Sequence, residues 1–180
     1  MAIGADGRLA GSGFIASPNC DQRPPGEAVT LLVIHSISLP PGAYGGDAIE
    51  RLFTNRLDPE AHPSFGALRG LRVSAHFVVR RGGDVQQFVP VQSRAWHAGE
   101  SNWRGRSKCN DFSIGVELEG TDDSSFTDAQ YRSLASLTRR LLAVLPIHDI
   151  AAHSDLAPQR KSDPGKQFDW LRFVAELARR

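Results

Sequence analysis

His35 directly follows a mostly aliphatic segment, residues 29–34, whose pattern predicts a strand that is covered on both faces. Ligands of open α/β sheets bind outside the ends of such strands, so an imidazole there suits metal binding or proton transfer. A histidine that only hydrogen-bonds at the end of its strand explains the same position. The local sequence alone favours this plainer alternative.

A second group of polar residues lies in a loop near the carboxyl end of the chain. Residues 153–165 contain His153, Asp155, Lys161 and Asp163 among prolines and glycines. Such loops often hold functional groups on a rigid scaffold. Ordinary turn chemistry at Asp-Pro-Gly and a solvated basic pair are the alternative explanation. A histidine followed about ten residues later by an aspartate is a weak metal signature beside His-Glu-x-x-His.

Glu117 lies in an otherwise apolar stretch that predicts a strand. A carboxylate on the face of a sheet is unfavourable unless it is exposed, paired or used in chemistry. Glu119 has the same parity, so the two residues could equally mark a solvated face. The sequence has no Gly-x-Ser-x-Gly elbow, phosphate loop, dinucleotide fingerprint or Cys-x-x-Cys. Metal-dependent hydrolysis, acid–base chemistry and pure binding therefore remain.

The composition is that of an ordinary globular domain. Hydrophobic residues make up 41% and charged residues 23% of the 180 residues, which argues against disorder. A formal net charge of +1 gives no global field for nucleic acid or an anionic membrane, so neither is an expected partner. Cys20 and Cys109 are too few for a disulfide-built secreted module, although one bridge between them stays open. No signal peptide or membrane span is visible, which favours a cytoplasmic protein.

The sequence pattern predicts the strands and helices that must position these residues. Together they indicate a single α/β domain over residues 1–180, with an irregular N-terminal segment over 1–28. Capping-box patterns at Asp47 and Thr127 each predict the start of a helix. A mixed central β-sheet flanked by helices accommodates the whole pattern. The predicted strands are 29–35, a hairpin of 71–80 and 84–90, and 112–120; the predicted helices are 47–57, 127–145 and one from 169 onward.

Seven sequence blocks carry a resemblance to a known family. They are LLVIHSISLPPG at 31–42, FTNRLDPEAHP at 53–63, LRVSAHFVVRRGG at 71–83, RAWHAG at 94–99, CNDFSIGVELEGTD at 109–122, FTDAQY at 126–131, and APQRKSDPG with FDW at 157–170. Together they closely resemble the AmpD-type N-acetylmuramoyl-L-alanine amidases. That zinc-dependent family also contains phage lysozyme-type amidases and peptidoglycan recognition proteins, and the resemblance implies their fold.

The resemblance implies one catalytic zinc ion and names its ligands. They would be His35, His153 and the aspartate of Lys-x-Asp-Pro-Gly, Asp163, although Asp155 lies closer to His153 in the sequence. Two imidazoles and one carboxylate hold zinc and leave a position open for water, as catalytic zinc sites require. No organic cofactor is implied, since zinc hydrolysis needs no redox partner.

The catalytic roles also come from the resemblance. Glu117 would take a proton from water, whose pKa zinc lowers towards about 7, and would later pass it to the departing amine. Lys161 would help zinc to stabilise the oxyanion, and one such donor is typically worth ~3–4 kcal/mol. The scissile bond would join the lactyl carboxyl group of 1,6-anhydro-N-acetylmuramic acid to L-alanine.

Substrate contacts follow less directly from the resemblance. Arg72 and Lys108 would bind the carboxylates of the peptide stem, with Lys108 standing where relatives often carry arginine. Trp96 and His97 would flank the sugar. Ser36 replaces a common asparagine and would affect a hydrogen bond to sugar or peptide.

Two other functions remain open alongside cytoplasmic recycling of anhydro-muropeptides. One is a lytic amidase that acts on intact peptidoglycan, and the other is a non-catalytic peptidoglycan-binding module. His76 either lines the site or is a strand histidine with satisfied hydrogen bonds, and it is not assigned to catalysis. No obligatory protein partner is evident from the sequence.

Overall fold

The computed structural model describes residues 3–179, which form ten strands, four α-helices and two short 3-10 helices. The strands are β1 (Gly13–Phe14), β2 (Cys20–Gln22), β3 (Leu31–Ile37), β4 (Phe77–Val79), β5 (Val85–Gln87), β6 (Ser93–Ala95), β7 (Asn102–Trp103), β8 (Arg106–Ser107), β9 (Ser113–Glu119) and β10 (Asp149–Ala152). The α-helices are α1 (Ala48–Phe53), α2 (Asp128–Leu142), α3 (His153–Leu156) and α4 (Trp170–Ala178), and the 3-10 helices span Pro63–Leu68 and Cys109–Phe112.

Six of the ten strands in the described residues form a central sheet in the order β1-β5-β4-β9-β3-β10. The neighbours from β4 to β10 pair in parallel, whereas β5 runs antiparallel to β4 and β1 runs parallel to β5. The predicted mixed central sheet is therefore confirmed. The remaining strands form two small antiparallel pairs, β2 with β6 and β7 with β8.

Strand β3 is buried on both faces, as its aliphatic sequence predicts. Leu31 and Val33 belong to an apolar cluster with Leu156, while Leu32 and Ile34 belong to the larger cluster that includes α2 and α4. Side chains alternate along a strand, so the residue after these four continues the first face. This parity directs His35 away from the main core and towards the loop after β10.

The predicted hairpin is shorter than expected, because residues 71–76 make single backbone hydrogen bonds to several segments instead of one ladder. The Ser74 N–H donates to Trp96 O at 3.1 Å, whereas the His76 N–H donates to Gly115 O at 3.0 Å. Regular pairing with β5 begins only at Phe77. A sequence pattern cannot show this change of partner, since alternation is the same in both cases.

The N-terminal segment is less irregular than predicted. Within it, β1 forms an edge of the central sheet beside β5, and β2 pairs with β6. Arg23 ties the segment to the turn before β9, because its guanidinium donates hydrogen bonds to the carbonyl oxygens of Asn110, Asp111 and Ser113 at 2.8–2.9 Å. Residues 1 and 2 of this segment, and residue 180 of the predicted domain, lie outside the described residues.

The helices pack on both faces of the sheet. Thr127 and Gln130 form the predicted capping box at the start of α2, which ends before Pro146. The capping box predicted for α1 is wrong, because the Asp47 carboxylate accepts a hydrogen bond from Arg51 Nε at 2.7 Å and caps no backbone N–H. Asp169 caps α4 through the Arg172 N–H.

Two further findings concern covalent and membrane features. Cys20 and Cys109 are free thiols in the described structure, so they do not form the bridge that the sequence left open. None of the helices within residues 3–179 is long and apolar enough to cross a membrane.

Candidate metal centre

Three of the predicted site residues converge at the carboxyl ends of two neighbouring parallel strands. His35 lies near the carboxyl end of β3, and His153 directly follows β10. Asp163 lies in the loop after α3. The His35 Nδ1 and His153 Nδ1 atoms are 3.0 Å apart, and Asp163 Oδ2 lies 3.1 and 3.0 Å from them. The sheet thus brings together residues that are 118 and 128 positions apart in the chain.

The donor atoms of this group fit a divalent cation. His153 Nε2 lies 3.1 Å from the carbonyl oxygen of Ala98, which can only accept, so the single proton of a neutral His153 sits on Nε2. Its Nδ1 lone pair therefore faces the Asp163 carboxylate, an arrangement that a cation between the two would stabilise. Donors that each lie about 2.0–2.2 Å from zinc are no more than ~4.4 Å apart, and all three pairs satisfy this limit.

Burial sets the charge state of the first histidine. It lowers the pKa of His35 to about 4, so the ring is neutral at pH 7. Two imidazole nitrogens and one carboxylate oxygen are the donor set of a catalytic zinc site.

Glu117 stands beside this group on β9. It is paired in register with His35 of β3, so the two side chains lie on the same face of the sheet. Its Oε2 atom is buried without a hydrogen-bond partner in the described structure. Burial and the nearby negative charge of Asp163 raise the pKa of Glu117 well above its usual value, while Lys161 opposes them. An unpaired carboxylate of raised pKa is a candidate general base.

Glu119 has a different environment although it lies on the same face. It is 2% exposed and accepts hydrogen bonds from the backbone N–H groups of Gly45 and Arg81 at 2.6 and 3.0 Å. Its carboxylate also pairs with Arg80 Nη1 at 3.2 Å. The alternative that Glu117 and Glu119 mark a solvated face is therefore wrong, because this carboxylate is buried and fully paired.

Asp155 has a structural role in the loop after β10. Its Oδ2 accepts a hydrogen bond from the Ala152 N–H at 2.8 Å, which caps the first turn of α3. The carboxylate is thereby directed at the backbone, and the described metal-binding group contains Asp163 instead.

A cavity of about 230 Å³ opens over the group. Its polar end contains the three donors with Glu117, Lys161 and Ser36, and its other end is apolar, formed by Leu39, Leu52, Phe53, Leu68, Leu71 and Val73. Lys161 is exposed and stands at the rim. Ser36 follows the first histidine, and its hydroxyl donates a hydrogen bond to Asp122 Oδ1 at 3.3 Å.

The other predicted substrate residues are spread more widely. Arg72 is exposed and lines an adjoining cavity of about 220 Å³ that shares Leu52, Leu68 and Leu71 with the first. Within the described structure, Trp96 and Lys108 line neither cavity. Neighbouring side chains of an extended segment point to opposite sides, which separates Trp96 from His97.

His97 lies at the base of the cavity, behind His35, and not at the rim where a sugar contact would be expected. It is 9% exposed, and its Nδ1 lies 2.9 Å from His35 Nε2 while its Nε2 lies 3.1 Å from Ser113 Oγ. Both ring nitrogens are therefore engaged by protein atoms, and the predicted contact of His97 with the sugar stays a prediction. The contact between His97 and Ser113 has one signal in the sequence. Ser113 is four residues before Glu117 in the same strand, so the two side chains lie on the same face.

His76 is buried with satisfied hydrogen bonds, which favours the second of the two alternatives, although it lies directly before β4 and not within the strand. The Gly115 N–H donates to its Nδ1 at 3.0 Å, and its Nε2 lies 3.1 Å from Ser93 O. Burial, with a smaller contribution from the Arg23 guanidinium, lowers its pKa to about 3.

The fold and the site define an α/β protein whose sheet and adjoining loop bring together two imidazoles, one carboxylate and an unpaired glutamate, the groups of a metal-dependent hydrolase. The chain belongs to the N-acetylmuramoyl-L-alanine amidase family, whose sequence profile matches residues 25–166.

Known proteins agree with this assignment. The chain is 54% identical over 169 residues to the 1,6-anhydro-N-acetylmuramyl-L-alanine amidase AmpD of Escherichia coli K12, which covers 93% of this chain and 92% of that protein. A crystal structure of a selenomethionine derivative of AmpD superposes with a TM-score of 0.96 at 51% identity, covering 98% of this chain and 99% of that one.

A more distant structure includes a substrate. It is the N-acetylmuramyl-L-alanine amidase AmiD from E. coli in complex with anhydro-N-acetylmuramic acid-L-Ala-D-γ-Glu-L-Lys. That structure has a TM-score of 0.61 and 30% identity, covering 86% of this chain and 60% of that one. The fold that the resemblance implies is thus confirmed.

Proposed function

We propose that the protein is a zinc-dependent amidase that hydrolyses the bond between 1,6-anhydro-N-acetylmuramic acid and L-alanine in muropeptides. The observation that carries the proposal is the convergence of His35 Nδ1, His153 Nδ1 and Asp163 Oδ2 within 3.1 Å, beside the unpaired Glu117. The 54% identity to a protein named for this activity supports the substrate class. The resemblance to AmpD-type enzymes assigns the reaction to peptidoglycan recycling in the cytoplasm.

His35, His153 and Asp163 would hold one zinc ion. When bound, zinc supplies a Lewis acid that polarises a carbonyl oxygen and lowers the pKa of water. The tautomer of His153 supports this assignment, since Ala98 O retains the proton on Nε2 and leaves Nδ1 free as a ligand. Asp163 brings one negative charge, which reduces the net charge of the loaded centre.

Glu117 would move the proton. Its Oε2 accepts a proton from water as the oxygen of that water bonds to the amide carbon. The same Oε2 then gives the proton to the amide nitrogen as the carbon–nitrogen bond breaks, so acid and amine leave and the carboxylate is regenerated. The raised pKa of Glu117 suits both transfers, because the group binds a proton more strongly than an exposed glutamate does.

Lys161 would stabilise the negative charge that develops on the carbonyl oxygen. Its ammonium group is close enough to oppose the rise in the pKa of Glu117 and lines the same cavity. A preorganised donor of this kind is typically worth ~3–4 kcal/mol in the transition state.

The cavity suits a substrate with one polar and one apolar part. The apolar end would take the non-polar surface of the sugar or the alanine, and Ser36 stands at the polar end. Arg72, in the adjoining cavity, would bind a carboxylate of the peptide stem. The anhydro-muropeptide in the AmiD complex has such carboxylates and belongs to the substrate class proposed here.

The test is mass analysis of the products formed from an anhydro-muropeptide. Metal-stripped protein is expected to be inactive, and added zinc is expected to restore release of anhydro-N-acetylmuramic acid and the intact stem peptide. The same samples are incubated with purified sacculi. Faster cleavage of sacculi than of the anhydro-muropeptide would favour a lytic amidase instead. Inactivity on both substrates after zinc is restored would favour a binding module.

A further inference from the structure

A buried chain of hydrogen bonds runs behind His35, on the side away from the cavity. Its first member is the Ser113 hydroxyl, which donates to the carbonyl oxygen of Cys109 at 2.6 Å. A hydroxyl has one hydrogen, so towards His97 Nε2, 3.1 Å away, the same oxygen can only accept. The proton of a neutral His97 is therefore on Nε2.

The next step determines the tautomer of His35. With its proton on Nε2, His97 presents a bare lone pair at Nδ1, which lies 2.9 Å from His35 Nε2. That contact is a hydrogen bond only if His35 carries its proton on Nε2. The Nδ1 atom of His35 is then unprotonated, and it is this atom that lies 3.0 and 3.1 Å from His153 Nδ1 and Asp163 Oδ2.

We propose that His97 is a positioning residue that fixes the Nε2–H tautomer of His35 and so presents His35 Nδ1 to the metal. The inference rests on the proposed metal centre and adds a residue to it. Partners of this kind orient metal-bound histidines, and their loss typically weakens metal affinity about 10–100-fold. The carbonyl oxygen of Ala98 does the same for His153, so two consecutive residues orient both imidazoles.

The surrounding structure holds this pair of residues in place. The Asn110 side-chain oxygen accepts hydrogen bonds from the N–H groups of both His97 and Ala98, at 3.1 and 2.8 Å. Gly115 of β9 makes room for the His97 ring, because a Cβ atom there would lie 2.5 Å from His97 Cγ. The Asn110 hydrogen bonds fix the backbone of His97, and the glycine at position 115 leaves the space that its ring occupies beside His35.

A matched pair of variants separates hydrogen bonding from packing. Asn and Leu are similar in size, but only the Asn side-chain oxygen can accept a hydrogen bond from His35 Nε2–H. We expect His97→Leu to weaken zinc affinity about 10–100-fold, and His97→Asn to stay within about 5-fold of the unaltered protein. Zinc affinity is measured by competition with a chromophoric chelator, after thermal unfolding has shown that each variant is folded.

A second readout needs no metal. Long-range ¹H–¹⁵N correlation spectra of the metal-free protein show which ring nitrogen of His35 is protonated. The unaltered protein and His97→Asn are expected to have the proton on Nε2, and His97→Leu to have a mixture of tautomers. If His97→Leu is unfolded, Ser113→Ala takes its place, and removal of the His97 partner is expected to weaken zinc affinity several-fold.

The inference is overturned if His35 keeps the Nε2–H tautomer and its zinc affinity in His97→Leu, or if Asn and Leu weaken zinc binding equally. Neither readout involves the muropeptide. An unaltered protein that binds zinc through His35 but cleaves no amide would contradict the proposed function alone. A protein that is active and insensitive to His97 would contradict this inference alone.

Discussion

Two glutamates on one face of β9 differ in what they contact, and that difference defines their roles. Glu119 is satisfied by Arg80 and two backbone N–H groups, whereas Glu117 Oε2 has no partner in the described residues. A buried carboxylate oxygen that is left unpaired is unfavourable to the fold, so its presence indicates a use in chemistry.

Replacing Glu117 with glutamine is expected to abolish proton transfer without removing the metal. We expect kcat for the anhydro-muropeptide to fall about 10²–10⁴-fold, with zinc content unchanged, as measured by product formation and atomic emission. The matched control is Glu119→Gln, which should keep kcat but lower the free energy of unfolding by about 1–3 kcal/mol. Loss of zinc in Glu117→Gln would show that this carboxylate is a ligand.

The two aspartates of the loop after β10 offer a second matched pair. Asp163→Asn removes the anionic ligand, so zinc content and activity should both fall at least tenfold. Asp155→Asn removes only a cap on the Ala152 N–H and should keep zinc. The measurement is zinc content after dialysis against a weak chelator. A zinc loss confined to the Asp155 variant would reverse the assignment.

The residue types at the site could be predicted from the sequence, but their contacts could not. The resemblance singles out His35, His153, Asp163 and Glu117, and the structure brings these four together. The placement of His97 behind His35 depends on which side of an extended segment its side chain takes. The orientation of the His97 side chain depends on how distant segments pair, and such pairing cannot be read from the residues around position 97.

At the scale of elements, β3 and β9 position the first histidine and the glutamate of the site because they are adjacent, parallel and in register. Their pairing sets His35 opposite Glu117, and Gly115, two residues earlier on β9, leaves space for the ring behind His35. Long strands with strong apolar patterns, and α2 with its capping box, could be predicted from sequence. The bounds of α1 and of the hairpin could not, since Asp47 pairs with Arg51 and residues 71–76 bond to several segments.

Gly115→Ala tests this use of β9. The added Cβ would overlap the His97 ring, so we expect the free energy of unfolding to fall by about 1–3 kcal/mol and zinc affinity to fall with it. Gly13→Ala, in β1 of the same sheet, is the control, because its Cβ would meet no atom within 4 Å. Urea unfolding and chelator competition measure the two effects. Equal behaviour of the two variants would mean that the space beside His97 has no role.

At the scale of the whole molecule, the fold keeps neutral histidines in its interior. His76 is fully buried, and its pKa of about 3 lies below the value of about 6.5 that it has in an unfolded chain. The unfolded state therefore binds the proton first as the pH falls. The fold is at full stability with respect to this residue above about pH 6.5, and it loses stability progressively between about pH 6.5 and 3.

His76→Gln is expected to make the protein less sensitive to acid. The unaltered, metal-free protein should lose about 2 kcal/mol more of its free energy of unfolding between pH 7 and 5 than the variant does, because one extra proton binds on unfolding. Urea titrations at several pH values measure the two slopes, and the variant's lower stability at pH 7 does not affect the comparison. Identical slopes would show that His76 titrates alike in both states.

The whole-molecule resemblance was also the strongest information in the sequence. Blocks spread over nearly the entire chain implied the family, and the match to residues 25–166 confirms it. The N-terminal segment shows the limit of such reasoning. Its two short strands are held by long-range partners such as β5 and β6, so its own glycine- and proline-rich sequence predicts irregular chain.

The most direct test of the metal centre is an anomalous difference map, collected at the zinc absorption edge from crystals loaded with zinc. The account predicts one strong peak about 2.0–2.2 Å from His35 Nδ1, His153 Nδ1 and Asp163 Oδ2. A map without a peak at that position, or with its peak beside Asp155 or Glu119, would contradict it.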